Sequence, residues 1–128
     1  NVMINKYDKM LVNGKPGDIA TLKDVTKEFI MPRPNDEKAP ETEIKEIELL
    51  GNVMLSKGVV SLKNDRGTSY LMYISVQNEL ARAFNEMKDE MSLKYFGQHY
   101  ADLTDEDKIN AINKAVPVRI SEAEPEAY

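Results

Sequence analysis

The sequence predicts an α+β fold of two layers, a small mixed β-sheet with helices packed on one face. Three observations carry this. Short apolar stretches with a period of two recur at Val2–Ile4, Val59–Leu62 and Val118–Ile120. Between them lie three stretches whose apolar residues repeat every three or four positions, the spacing of a helix with one buried stripe. The resulting order, β-β-α-β-α-α-β, places helices in the crossings between strands, and covering one sheet face is how such stripes are buried. The chain has 128 residues, which suits a single domain over 1–128.

Val2 to Val12 reads as a hairpin, with Val2 and Ile4 alternating against Met3 and Asn5, and Asp8-Lys9 as a two-residue turn. Asn13-Gly14-Lys15-Pro16-Gly17 then ends the strand, since Gly and Asn tolerate the positive φ of a reversal. A helix follows from Thr21 to Met31. Thr21 caps it with Asp24 three residues on, and Ile19, Leu22, Val25 and Phe29 form its apolar face. Pro32 and Pro34 stop it. Arg33 to Glu43, acidic and rich in proline, reads as a surface loop. Ile44 to Lys57 carries mixed signals: Ile47 with Leu49 suggests a strand, Ile44 with Ile47 a helical turn, and Gly51 breaks either. It is read as irregular extended structure with an edge strand, so that 33–57 forms an inserted loop or edge region.

Val59-Val60-Ser61-Leu62 is the next strand, followed by the turn Asn64-Asp65-Arg66-Gly67. Thr68 or Ser69 caps the longest helix, whose buried stripe is Tyr73, Val76, Leu80, Ala83, Phe84, Met87 and Met91. Running to Phe96 before Gly97, it spans roughly 40 Å at 1.5 Å per residue. A small domain is only about 30 Å across, so the helix is expected to overhang, bend or meet a second subunit. Thr104 with Asp107 repeats the capping pattern for a third helix carrying Ile109, Ile112 and Val116. Pro117 ends it, Val118-Arg119-Ile120 is the closing strand, and 122–128 is expected to be a mobile tail.

Composition narrows the chemistry. A net charge of -5 repels phosphate backbones, which argues against nucleic acid as a partner. There is no Cys and a single His, His99, which removes thiol catalysis, cysteine zinc sites and a Ser-His relay. Trp is absent, disfavouring an aromatic stacking platform. No phosphate loop, dinucleotide fingerprint or calcium loop occurs. The acidic clusters, including Asp102, Asp105, Glu106 and Asp107, read as solvated faces and helix starts rather than a carboxylate pair in a cleft. The Asp65-Arg66-Gly67 turn before the long helix could hold an anion, although capping is the ordinary use of such residues. No catalytic set, metal site or cofactor site is expected, so the chain reads as a binding protein rather than an enzyme.

Three segments, in order and spacing, resemble the periplasmic domain of the ExbD/TolR family of biopolymer-transport proteins. They are the hairpin running into Leu11-Val12-Asn13-Gly14-Lys15 and a helix containing Leu22; Val59-Val60-Ser61-Leu62 leading through Asp65 to Tyr70 and a helix with Val76 and Leu80; and the closing Val118-Arg119-Ile120. Ser56-Lys57-Gly58 through Tyr73, with Ile120-Ser121-Glu122-Ala123-Glu124-Pro125, looks like the longer form of Bacteroidetes-type bacteria. The stretches 33–57 and about 85–116 depart from the family pattern.

The resemblance implies a homodimer on the periplasmic side of the inner membrane, held there by one N-terminal membrane helix that precedes this sequence. The start inside an apparent strand, at Asn1-Val2-Met3-Ile4, agrees with a piece of a longer protein. It further implies an ExbB/TolQ-like channel subunit and a TonB- or TolA-like periplasmic protein as partners, with the proton-handling Asp in the upstream membrane helix. Partner recognition is then expected by strand addition along the Val118–Ile120 edge, with Asp65 and Tyr70 shaping the adjoining turn. The family's alternative role, binding peptidoglycan as TolR-like members do, assigns Arg66 to a cell-wall carboxylate.

Overall fold

The computed structural model describes residues 2–32 and 40–122. Five strands make one mixed sheet: β1 (Val2–Ile4), β2 (Met10–Val12), β3 (Lys15–Pro16), β6 (Val60–Asn64) and β7 (Ile120–Glu122), in spatial order β3-β2-β1-β6-β7. β4 (Thr42–Ile47) and β5 (Gly51–Ser56) form a separate antiparallel hairpin. The helices are α1 (Ile19–Ile30), α2 (Tyr70–Phe96) and α3 (Glu106–Ala115), with one 3-10 turn at Tyr100–Asp102. β1 pairs antiparallel with β2 and parallel with β6, and β6 pairs parallel with β7.

Alternation along the strands sorts the faces. Val2, Ile4, Met10, Val60 and Leu62 are buried, while Met3, Leu11, Ser61 and Lys63 lie on the other, more open face. Against the buried face lie Leu22, Thr26 and Ile30 of α1 and Val76, Leu80, Ala83 and Phe84 of α2. The two helices are laced by ion pairs from Lys23 to Glu86 (2.7 Å) and from Lys27 to Glu90 (2.6 Å). Both partners advance by four residues between these pairs, so α1 and α2 run in the same direction.

Several boundaries differ from the sequence reading, each for a local reason. The β1–β2 turn covers 5–9: Asn5 Oδ1 accepts from the N–H groups of Tyr7 and Lys9, and Asp8 takes the left-handed conformation at φ 59°. Asn13 and Gly14, with φ of 52° and 81°, make a two-residue reversal that adds β3 instead of ending the sheet. α1 begins two residues before Thr21, because Asp18 caps it by accepting from Ala20 N–H. Its buried side is rotated accordingly: Thr26 and Ile30 are buried and Val25 is exposed. Asp105, rather than Thr104, caps α3.

Ile44 to Lys57, read as irregular extended structure with an edge strand, lies almost wholly in a regular antiparallel hairpin, β4–β5, which also takes in Thr42 and Glu43 from the expected loop. Ile47, Val53 and Leu55 enter the core while Ile44 stays exposed, and Arg119 donates to the Ser56 carbonyl at 3.2 Å. The rest of the expected loop, 33–39, and the expected mobile tail beyond Glu122 lie outside the described residues; Glu122 itself belongs to β7.

α2 has 27 residues and does not protrude alone. Gly97, at φ 68°, reverses the chain so that the following segment returns along the distal half of the helix. Ser92, fully buried, donates to the Gln98 carbonyl at 2.7 Å, and Tyr100 N–H donates to Asp89 at 2.9 Å. Tyr100 Oη then donates to Asn113 on α3 at 2.9 Å. The extra length is thus partly covered within the same chain, with Ser92 buried and Met87 and Met91 half-buried.

Candidate docking edge

A sheet of five strands has two edges, and their residues make them unlike. β3 is two residues long and consists of Lys15 and Pro16. A lysine and a residue without an N–H blunt that edge against further pairing. β7 contains no proline. Val60 N–H donates to the Arg119 carbonyl at 2.9 Å, in a register that sets Ile120 opposite Val60. Successive residues of a strand aim their backbone groups to opposite sides. Arg119 and Ser121 therefore face β6, and the N–H and C=O of Ile120 and Glu122 point away from the sheet.

A groove runs between this strand and α2, lined by Gln77, Asn78, Leu80, Ala81, Ile120 and Glu122. Its floor is apolar through Leu80 and Ile120, its wall is low at Ala81, and its rim carries amides and one carboxylate. Glu122 fastens the strand to the helix: Tyr73 Oη donates to its carboxylate at 2.8 Å, and the Gln77 amide donates to the same carboxylate. Gln77 also donates to Tyr73 Oη at 2.8 Å. The hydrogen bond to Glu122 holds the Tyr73 phenol above its ordinary pKa, because ionising it would set two anions together. An edge strand beside a helix, with outward backbone groups and a shallow groove, is the geometry that accepts an extended peptide as an added strand.

The five residues expected to contact a partner fall into two places. The closing strand starts at Ile120, two residues later than expected, because Arg119 is drawn to the β4–β5 hairpin through Ser56 and, at 3.8 Å, Glu43. Val118 thus precedes the strand and is 53% exposed. Asp65, Arg66 and Tyr70 sit beyond the other end of β6, five or more residues along from the Val60–Ile120 pair. Asp65 is buried; its carboxylate accepts from Gly67 N–H at 2.8 Å and its own N–H donates to the Ile4 carbonyl at 2.8 Å. Its part is to form the turn. Arg66 is exposed, and Tyr70 is the first residue of α2. Glu122, Gln77 and Ala81 were not expected at a site. The contacts of Glu122 with α2 join residues 49 and 45 positions apart, and no local pattern announces them.

His99 lies apart from this edge. Its Nδ1 sits 3.0 Å from both carboxylate oxygens of Asp89, in a shallow depression shared with Asn85, Tyr100 and Asp102. Among the described residues no group of three His, Cys, Asp or Glu side chains could hold a metal ion, and no helix is long and apolar enough to cross a membrane. No protein-family model, curated protein or solved structure matches the chain.

Proposed function

We propose that the chain is the periplasmic domain of an energy-transduction complex coupled to the proton-motive force, of the ExbB–ExbD–TonB or TolQ–TolR–TolA kind. In this reading it works as a dimer and engages an extended segment of a TonB-like protein along β7, powering transport at the outer membrane. The observation that carries it is the contrast between edges, with β3 blunted by Lys15 and Pro16 while β7 directs the backbone groups of Ile120 and Glu122 outward beside the α2 groove. Backbone pairing suits a mechanical coupler, because a row of hydrogen bonds bears load along a strand without needing reactive side chains. The ExbD/TolR resemblance of the ordered segments supports the same reading.

Ile120→Pro tests it. Proline removes an outward N–H while leaving the Arg119 carbonyl and the Ser121 N–H to hold β6. With the fold retained by circular dichroism, the variant is expected to lose at least tenfold in affinity for the periplasmic part of the organism's TonB-like protein. Unchanged binding by a folded Ile120→Pro protein rejects the edge as the docking site. In the alternative role, peptidoglycan binding through the exposed Arg66, the chain would instead pellet with purified sacculi in an Arg66-dependent way.

A further inference from the structure

The three most exposed large apolar side chains among the described residues are Tyr70 (78%), Leu71 (77%) and Tyr7 (71%), and they gather at one end of the sheet. Tyr7 lies on the β1–β2 turn and Tyr70 and Leu71 open α2. The two turns are clamped together. Ser69 N–H donates to Asp8 Oδ1 at 2.9 Å, so Tyr7 and Tyr70 each sit one residue from the same hydrogen bond. Thr68 Oγ1 donates to the Asn5 carbonyl at 3.1 Å, and a Cβ on Gly67 would stand 2.9 Å from Lys6 Cβ. The tip is therefore a rigid surface, whose side chains lose little backbone freedom on docking.

Its charge is opposite to that of the whole chain. Lys6, Lys9 and Arg66 are exposed on these turns. Of the two acids among them, Asp65 is buried, while Asp8 stays exposed and ionised, its carboxyl held below its ordinary pKa by the bond from the Ser69 backbone N–H. Screening confines a surface field to about 8 Å at physiological ionic strength. A surface pressed against the tip therefore meets a local excess of positive charge, three cations against two carboxylates, rather than the net charge of -5.

We propose that this tip docks on an anionic lipid bilayer, laying Tyr7, Tyr70 and Leu71 into the interface and setting Lys6, Lys9 and Arg66 over the headgroup phosphates. Exposed side chains on two short turns can enter a bilayer, which supplies no preformed cleft. Tyrosine is suited to this depth because its ring is apolar and its hydroxyl polar. Lys6 Nζ already stands 5.2 Å from the centre of the Tyr7 ring, a pairing that strengthens as water leaves. This contact is separate from the upstream membrane helix that the family resemblance implies, and it does not depend on the β7 reading.

Co-sedimentation of the 128-residue chain with vesicles of phosphatidylglycerol and phosphatidylcholine tests it, against phosphatidylcholine alone and lipid-free sacculi. Binding is expected to the anionic vesicles only and to weaken with salt. Lys6→Gln and Lys9→Gln should each lower the partition constant about fivefold, and the double variant Tyr70→Ser/Leu71→Ser at least tenfold, with unchanged circular dichroism. No binding to anionic vesicles, equal binding to both lipids, or binding indifferent to these substitutions overturns the proposal. Pelleting with sacculi but not with vesicles, dependent on the same residues, overturns it in favour of the cell wall. None of these variants touches β7, so either proposal can fail while the other stands.

Discussion

Glu122 hydrogen-bonds the edge strand to Tyr73 and Gln77 of α2, so its removal should loosen β7 in a measurable way. A hydrogen bond to a charged group is worth about 1.5–3 kcal/mol when shielded. Here the carboxylate is exposed and Tyr73 and Gln77 are only partly buried, so solvent screening reduces the worth of the clasp to about 1 kcal/mol. Glu122→Ala should therefore cost about 1 kcal/mol in urea unfolding, and Tyr73→Phe a similar amount. Because both remove the same 2.8 Å bond, the double variant should cost less than the sum, with a coupling of about 0.5–1 kcal/mol in a double-mutant cycle. Hydrogen exchange adds a local readout: the Ser121 amide, facing β6, should exchange faster in Glu122→Ala while amides of β1 and β6 barely change. Alkali gives a third. Folding raises the Tyr73 pKa above 10.0, so its contribution is complete below pH 10 and fades as pH climbs through the raised value. Strictly additive costs, or an unchanged Ser121 exchange rate, would show that β7 is held by its pairing with β6 alone.

Two further outcomes follow from the packing. The hydrogen bond with Asp89 raises the pKa of His99 above 6.5, and that with His99, reinforced by Tyr100 N–H, lowers the pKa of Asp89 below 3.8. The imidazolium contribution is thus complete below pH 6.5 and lost as pH rises through the raised value, while the carboxylate contribution holds above pH 3.8 and is lost as pH falls through the lowered one. An NMR titration of this single histidine should show an apparent pKa above 6.5 that falls back in Asp89→Asn; an identical value in both proteins removes the pair. Leu80 is fully buried under the sheet, so Leu80→Ala should cost about 2–5 kcal/mol in urea unfolding, and a loss below 1 kcal/mol would place it outside the core.

The helices were legible because their stripes are long. Val76, Leu80, Ala83 and Phe84 repeat over enough turns that one noisy position does not blur the period, and all four are buried. Cap positions were less so. Asp18 and Thr21, and likewise Asp105 and Thr104, are equally able to accept a backbone N–H, and only the approach of the chain selects between them. The β4–β5 hairpin was hidden because Ile44 and Ile47, three apart, imitate a helical turn; in the strand they point to opposite faces, one 69% and the other 2% exposed. In α1, Val25 belongs to the expected apolar face yet is exposed, and Thr26, outside that face, is buried by the packing against the sheet.

From the amino-acid order alone came the two-layer α+β class, the main helices, the burial of one face of β1 and β6, and the want of thiols or paired histidines. These depend on period, capping chemistry and composition, which act between residues close in the chain. The three-dimensional arrangement alone decided which sheet edge stays open, where β7 begins, how the return after Gly97 covers α2, and that Tyr7 meets Tyr70 and Leu71 at one tip. Apart from the return after Gly97, whose hydrogen bonds span 6 to 13 positions, those outcomes join residues 45 to 63 positions apart through backbone register and packing. A pairing register shifted by two would leave every local pattern in the sequence intact.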